Sequence, residues 1–333
     1  MQTFIENGII LGIKQIMNFK EIIQFAVENN FQELFLTVGS KPSLRIHKEI
    51  IEIENLAVLN SVMIENLLLE IISENQLNTI KEKEHLNFHY KISDLCDLKV
   101  FISFSKNHSF VKITNLNQSN LNISELNLTE KTNKIIEEKS GLFIISGEKF
   151  DGKTSTLRAL IEQINKDENK QVICILQDEE LIKVHNQNSI IINSTLEEIQ
   201  SISPDILVID NLNTIQELIV INELLNEGKK IITSIYAHSV IQTIQNICNI
   251  DTILGKKILG QHLKMIINME VHKSKADQKL YPLSEIFILE QENSKMIQEL
   301  DYSQIQNHIE TGKNQGMHTK KQDITALQNL GLI

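Results

Sequence analysis

The stretch LFIISGEKFDGKT, at residues 142–154, is the sharpest signal in the sequence of this 333-residue chain. An apolar run typical of a buried strand leads into the pattern G-x-x-x-x-G-K-[ST], and Thr154 to Ile164 then has helical periodicity. In that context backbone N–H groups and the positive end of the helix point at an anion. The sequence therefore predicts a nucleotide-binding loop at Gly147–Thr154.

The residues of this loop suggest their own roles. Lys153 is expected to contact the β- and γ-phosphates, and Thr154 to hold Mg²⁺. Glu148 adds an unfavourable charge near the phosphates, and Phe150 and Asp151 stand where small residues fold more easily, so we expect a weakened affinity. We predict ATP and Mg²⁺ as cofactors, with nucleotide bound by Gly147, Gly152, Lys153, Thr154 and Ser155.

A second strand ends in an acidic residue. The apolar run Ile206–Ile209 is followed by Asp210, an arrangement that orients Mg²⁺ in phosphate-transferring sites. We therefore predict Thr154 and Asp210 as the metal-holding residues. The next residue is Asn211, and an amide cannot accept a proton from an attacking water.

The chain divides near residue 118. From Ile135 onward short apolar runs alternate with helical segments, which predicts a parallel sheet covered on both faces. The stretch 115–127 is rich in Asn and Ser and is typical of a linker. The first part has an α+β pattern: helices over Phe19–Asn29 and Asn60–Glu74, strands over Leu34–Val38 and Leu44–Ile46, and a hairpin over Leu98–Phe104 and Phe110–Ile113.

Composition excludes several classes of protein. With 32 basic and 43 acidic side chains the net charge is −11, so we expect no nucleic-acid partner beyond ATP itself. Three widely spaced cysteines with no C-x-x-C pair indicate a reduced compartment, hence the cytoplasm. There is no signal-peptide pattern at the start and no run of 18 apolar residues, so any membrane association would be peripheral.

Two lesser clusters have ordinary explanations. His85 and His89 have the i, i+4 spacing of a zinc site on a helix, but the pattern around Leu86 favours a strand, where they would lie too far apart. A basic cluster could face an anionic surface, although a solvated loop is the simpler interpretation. It consists of His272, Lys273, Lys275 and Lys279.

Blocks along the chain resemble the PilT family of type IV pilus retraction ATPases, in the type II/IV secretion ATPase superfamily. The resemblance runs from about Asn18 to the last residue, and the order and spacing of the blocks are more specific than the phosphate loop alone. The blocks are Glu33–Gly39 with Pro42 and Leu44–Ile46, Gly141–Leu157, Pro204–Val208, and Thr311–Thr319 through Gly331–Ile333.

The resemblance implies an α/β fold with a RecA-like P-loop core and a smaller N-terminal PAS-like α+β domain. It implies an N-terminal extension at 1–17, the PAS-like domain at 18–117, a linker at 118–127 and the RecA-like domain at 128–333. It also implies a homo-hexamer in the cytoplasm, peripherally associated with the inner membrane and acting in twitching motility. The implied partners are an inner-membrane platform protein of the pilus or an active paralogous ATPase.

The chain departs from this family where the family hydrolyses ATP. Gln177 stands at the catalytic Glu, Asn211 at a second Glu and Tyr236 at a His, so we predict no intact catalytic residue. Arginines that reach the nucleotide from the N-terminal domain fall on positions such as His108 and Lys112.

Two functions therefore remain open, a weakly hydrolysing ATPase motor and a non-hydrolysing ATP-binding scaffold or regulatory subunit of a pilus or secretion ring. The sequence leaves open the rate of hydrolysis, the machine served, the direction of any motor action and the role of residues 1–17.

Overall fold

A computed structural model describes residues 18–93, 95–105, 108–116, 123, 128, 135–166, 171–176, 188–274, 280–329 and 331. The chain forms two compact units, residues 1–118 and 119–333. The predicted N-terminal extension lies outside the described residues, as does the predicted linker apart from Ile123. Ile123 is buried in the core of the second unit.

The first unit contains a six-stranded sheet in which all neighbouring strands are antiparallel, in the order β3-β2-β1-β6-β5-β4. Helices pack on it around a core that includes Leu34, Ile64 and Val100. The strands are β1 (Glu33–Thr37), β2 (Ser43–Ile46), β3 (Glu49–Glu52), β4 (His85–Ile92), β5 (Cys96–Ser105) and β6 (His108–Asn115). The helices are α1 (Phe19–Glu28), α2 (Ser61–Leu69) and α3 (Glu74–Lys83).

The single helix predicted over Asn60–Glu74 is wrong, because α2 ends at Leu69 and α3 begins at Glu74. Ser73 caps the second helix: its side chain accepts from the Gln76 backbone, and the Gln76 side chain accepts from the Ser73 backbone. A capping box of this kind satisfies the exposed amides at a helix start. It therefore favours a new helix over continuation of α2.

The predictions for the hairpin and for the two histidines of the first unit agree with the structure. The hairpin is β5 paired with β6, and His85 and His89 lie on strand β4. At the rise of a strand these two histidines are about 13 Å apart, too far to share one metal ion. Lys112, where the resemblance implies an arginine, lies 3.8 Å from the Glu33 carboxylate.

The second unit contains a seven-stranded sheet in the order β13-β12-β7-β11-β10-β8-β9. The strands are β7 (Gly141–Gly147), β8 (Val172–Leu176), β9 (Ile190–Ser194), β10 (Ile206–Ile209), β11 (Lys230–Tyr236), β12 (Leu263–Lys273) and β13 (Leu280–Ile288). The helices are α4 (Lys153–Lys166), α5 (Ile199–Ile202), α6 (Ile215–Asn226), α7 (Val240–Ile250), α8 (Thr252–His262), α9 (Ser294–Gln298), α10 (Tyr302–Thr311) and α11 (Lys320–Asn329).

The predicted parallel sheet is present, with the difference that β13 pairs antiparallel with β12 at one edge. Strands β7 and β10 are buried along their whole length, as strands covered on both faces should be. Parallel neighbours end at one edge of the sheet, so β7, β10 and β11 bring Gly147, Asp210 and Tyr236 together there. Within the described residues, no helix is both long and apolar enough to cross a membrane.

Candidate nucleotide-binding site

The predicted loop joins β7 to α4 and owes its path to two glycines. Gly147 has a φ of +156°, and a Cβ there would come within 2.7 Å of the Met269 carbonyl oxygen on β12. Gly152 has a φ of +87° with no atom within 4 Å of an added Cβ, so its conformation alone requires glycine. The two glycines of the motif thus have different roles, close approach at one end and a left-handed turn at the other.

Phe150 and Asp151, the unusual residues inside the loop, differ in what they do to it. Phe150 has a φ of +71°, a conformation that a bulky side chain rarely adopts. Asp151 is buried, and its carboxylate accepts from the backbone N–H of Glu148 at 2.9 Å and of Val271 at 3.1 Å. Asp151 therefore ties the loop to β12 and stabilises the conformation that Phe150 strains.

Lys153 is buried at the first position of α4 and its ammonium is held by the protein itself. Nζ donates to the carbonyl oxygens of Gly147 at 3.0 Å and Glu148 at 2.6 Å. The same nitrogen lies 4.0 Å from the centroid of the Tyr236 ring, at cation–π distance. Ser155 follows in the first turn of α4 and is half-buried.

Thr154 and Asp210, 56 residues apart in the chain, are in direct contact. The Thr154 hydroxyl donates to Oδ2 of Asp210 at 3.0 Å. The hydroxyl of Ser234 on β11 donates to Oδ1, and it accepts from the Asn211 backbone N–H at 2.8 Å. Both oxygens of Asp210 are therefore oriented by hydroxyl groups, on the edge of the sheet where the phosphate loop begins.

Of the three positions predicted to lack their catalytic group, the two within the described residues, Asn211 and Tyr236, carry no side chain that could serve as a base. Gln177 lies outside the described residues. Asn211 has a φ of +66°, just past the end of β10. Burial, and to a lesser extent the Asp210 carboxylate, raise the pKa of the Tyr236 phenol above its ordinary value. The phenol is therefore protonated at neutral pH and cannot accept a proton from water.

A second contact joins the phosphate loop to the segment after β11. His238 Nδ1 lies 2.8 Å from a carboxylate oxygen of Glu148, so an imidazole faces the unfavourable charge noted in the sequence. The His238 carbonyl oxygen accepts from Lys320 Nζ at 2.7 Å, and that ammonium also lies 2.9 Å from Glu270. His238 is thus held by Glu148 through its side chain and by Lys320 through its carbonyl oxygen.

Asn268 on β12 joins β7 to the segment that follows β11. Its side-chain amide donates at 2.9 Å both to Ser146 Oγ on β7 and to the Ala237 carbonyl oxygen after β11. Thr243 on α7 also donates to Ser146 Oγ, at 2.7 Å. Sequence reasoning assigned no role in the site to Ser234, His238 or Asn268. The position of Asn268 between the apolar run Met265–Ile267 and Met269 is the sequence signal that could have marked it.

The residues present fit a magnesium nucleotide. Mg²⁺ prefers oxygen ligands and is usually bound by one or two protein oxygens together with substrate phosphates. Thr154 and Asp210 offer such oxygens. The described residues contain no group of three or more His, Cys, Asp or Glu side chains able to hold a metal ion. An ion at this position would therefore depend on phosphate oxygens and water for its remaining ligands.

Comparison with known proteins gives a consistent picture. The type IV pilus retraction ATPase PilT of Pseudomonas aeruginosa is 21% identical over 334 residues, covering 95% of this chain and 96% of that protein. A crystal structure of the pilus retraction motor PilT with bound ADP superposes with a TM-score of 0.78 at 18% identity, covering 96% of this chain and 95% of the other. The Legionella pneumophila ATPase DotB gives a TM-score of 0.75 at 12% identity, covering 95% and 98%.

At these identities the two structures show the fold alone. They confirm the predicted fold class, a RecA-like core with a smaller N-terminal α+β domain. The sequence pattern that describes type II/IV secretion system proteins matches residues 103–273, just over half of the chain. The chain therefore belongs to the type II/IV secretion system protein family and is a PilT-like member of it.

Proposed function

We propose that this chain binds Mg-ATP at the loop between β7 and α4 and hydrolyses it slowly. The observation that carries the proposal is the contact between Thr154 and Asp210, 3.0 Å apart, beside the buried ammonium of Lys153. A lysine ammonium within the loop and a carboxylate oriented by a hydroxyl of the following helix thus lie at the same edge of the sheet. This is the arrangement that a phosphate chain with its metal ion needs.

Each residue has a separate part in this proposal. Lys153 neutralises phosphate charge, and the glycine-bounded loop brings backbone N–H groups close to the phosphates. Thr154 and Asp210 hold Mg²⁺, which supplies charge neutralisation of the phosphate oxygens. Ser234 keeps the Asp210 carboxylate turned towards Thr154.

Slow hydrolysis follows from the groups around Asp210. Neither Asn211 nor a protonated Tyr236 can act as a base, and loss of a general base costs about 10²–10⁴-fold in rate. Positioning and charge still permit residual turnover. A non-hydrolysing scaffold or regulatory subunit is the second candidate, favoured by the same two residues and distinguished from the first only by a measured rate.

The similarity to PilT supports a proposal for the whole chain. We propose a cytoplasmic homo-hexamer at the inner membrane that acts in pilus retraction. Its partner is then the inner-membrane platform protein or an active paralogous ATPase. Sedimentation with Mg-ATP should show a species near six subunits, and a strict monomer at all concentrations would refute the assembly.

Thermal unfolding tests nucleotide binding directly. At a ligand concentration 100 times Kd, binding contributes about 2.7 kcal/mol, which raises the melting temperature of a domain this size by about 5–10 °C. We expect this rise with Mg-ATP for the wild type and for Lys149→Ala, a control in the same loop, and its loss in Lys153→Ala. Identical melting curves with and without nucleotide would refute the proposal.

A further inference from the structure

The Tyr236 ring lies against the Lys153 ammonium, the group that we propose contacts the phosphates of a nucleotide. Lys153 Nζ is 4.0 Å from the ring centroid, and it donates to two loop carbonyl oxygens at 3.0 and 2.6 Å. An ammonium has three N–H donors, so two carbonyl groups and a ring face occupy most of the space around it. A phosphate chain must therefore compete with the ring for the ammonium.

The backbone around Tyr236 keeps the ring close to Lys153. The Tyr236 carbonyl oxygen accepts from Asn246 Nδ2 at 2.7 Å, and the Ala237 N–H donates to the Gly147 carbonyl oxygen at 3.3 Å. The residue after Tyr236 is thus bonded to the loop that contains Lys153. This anchoring is in the backbone, so the ring can rotate away while its strand stays in place.

Tyr236 is exposed enough for its ring to move away from Lys153. Tyr236 is 47% exposed, whereas Lys153 beneath it is 7% exposed. Surface aromatic side chains change rotamer on a picosecond to nanosecond timescale, so the ring does not form a kinetic barrier. Its effect is on the equilibrium between free and nucleotide-bound protein.

We propose that Tyr236 is a displaceable cap on the Lys153 ammonium, which competes with the phosphate chain of a nucleotide and lowers its affinity. This inference rests on the proposed nucleotide binding and adds a residue that lowers the affinity for the nucleotide. Phosphate carries full charges and replaces the weaker attraction of the ring, so the cap reduces affinity without preventing binding. The chain then holds nucleotide less tightly than a protein with a small residue at this position.

Calorimetric titration with Mg-ADP tests the cap without any contribution from hydrolysis. Removing the ring in Tyr236→Leu should tighten Kd by about 2- to 30-fold, the equivalent of one cation–π contact. Tyr236→Phe is the matched control because it keeps the ring and loses only the hydroxyl, and its Kd should equal that of the wild type. An unchanged or weaker Kd in Tyr236→Leu would overturn the cap.

A double variant tests whether the effect passes through Lys153. In a Lys153→Ala background the cap has no ammonium to cover, so Tyr236→Leu should not restore the nucleotide binding that Lys153→Ala loses. Binding that returns in the double variant would overturn the cap and indicate a purely steric effect of the ring. If Lys153-dependent binding is found but the Tyr236 variants match the wild type, the cap alone fails. Absence of binding in every variant overturns the proposed function together with the cap.

Discussion

Asp210 illustrates how single residues define this site. A carboxylate at a strand end is common, but here the hydroxyls of Thr154 and Ser234 each hold one of its oxygens. Ser234 is fully buried and also accepts the Asn211 backbone N–H. One serine therefore links the orientation of the Asp210 carboxylate, which we propose holds the metal ion, to the backbone of the next residue.

Replacing this serine should damage metal-dependent binding more than it damages the fold. Ser234→Ala leaves Asp210 Oδ1 and the Asn211 N–H without that partner. A hydrogen bond to a charged group is worth about 1.5–3 kcal/mol, so the gain in nucleotide affinity that Mg²⁺ provides should fall by about tenfold or more. Thr233→Ala is the control, because that buried hydroxyl donates to the Ile209 carbonyl oxygen and does not touch Asp210. Equal Mg²⁺ dependence in the two variants, measured by titration, would contradict this role.

Asn211 determines how a carboxylate could be restored. Its φ of +66° is tolerated by Asn and Asp and strained for most other side chains. Asn211→Asp should therefore fold normally, whereas Asn211→Glu should lose about 1–2 kcal/mol of unfolding free energy. Denaturant unfolding of both variants checks this difference, and equal stabilities would mean that the backbone relaxes.

The same substitutions test hydrolysis. Asn211→Asp or Asn211→Glu, combined with Gln177→Glu, should raise turnover over the wild type, since a positioned base is worth about 10²–10⁴-fold. The turnover rate of each double variant is compared directly with the wild type, because the effects of residues that act together are not additive. A rate unchanged in both combinations would show that the missing base is not what limits turnover.

The strands and helices around the phosphate loop could be predicted from the local sequence pattern. Strands such as β7 and β10 are short apolar runs bounded by turn signals, a pattern that needs no tertiary information. Strands β12 and β13 were not predicted, since Asn268, Glu270 and Pro282 interrupt their apolar pattern. The break between α2 and α3 was hidden because the apolar spacing continues through Ile72.

The start of α7 depends on a buried carboxylate from another element. Glu285 on β13 accepts the Val240 backbone N–H at 2.8 Å, and Ser239 caps the same helix. Burial raises the pKa of Glu285, although the Val240 hydrogen bond and Lys320 act in the opposite direction. The folded protein therefore binds this proton more tightly than the unfolded chain does.

The sign of this shift gives a pH dependence. Because the folded pKa is raised, the Glu285 contribution is most favourable below the unfolded pKa and is lost as pH rises through the folded value. Glu285→Gln keeps an acceptor for Val240 without the charge, so it should gain stability relative to the wild type as pH rises from 4 to 8. Melting temperatures across that range measure the gain. A pH-independent difference between the two proteins would contradict the assignment.

For the whole molecule, the loop residues and Asp210 could be predicted because each lies in a short, spaced motif. The contacts of Ser234, Tyr236, His238 and Asn268 could not. They depend on the way in which β11 and β12 flank β7, which brings residues far apart in the chain to one edge of the sheet. The sequence thus predicted the groups that we propose bind a nucleotide, and only the structure revealed that the Tyr236 ring lies against Lys153.

We propose that this chain separates nucleotide binding from efficient hydrolysis. Steady-state ATP turnover of the purified wild type with Mg²⁺, using Lys153→Ala as the blank, measures that separation. We expect nucleotide binding that depends on Lys153, together with a turnover rate about 10²–10⁴-fold below the 1–100 per second typical of kinases. A wild-type rate of several turnovers per second, lost in Lys153→Ala, would refute the separation and show that the chain has a base elsewhere.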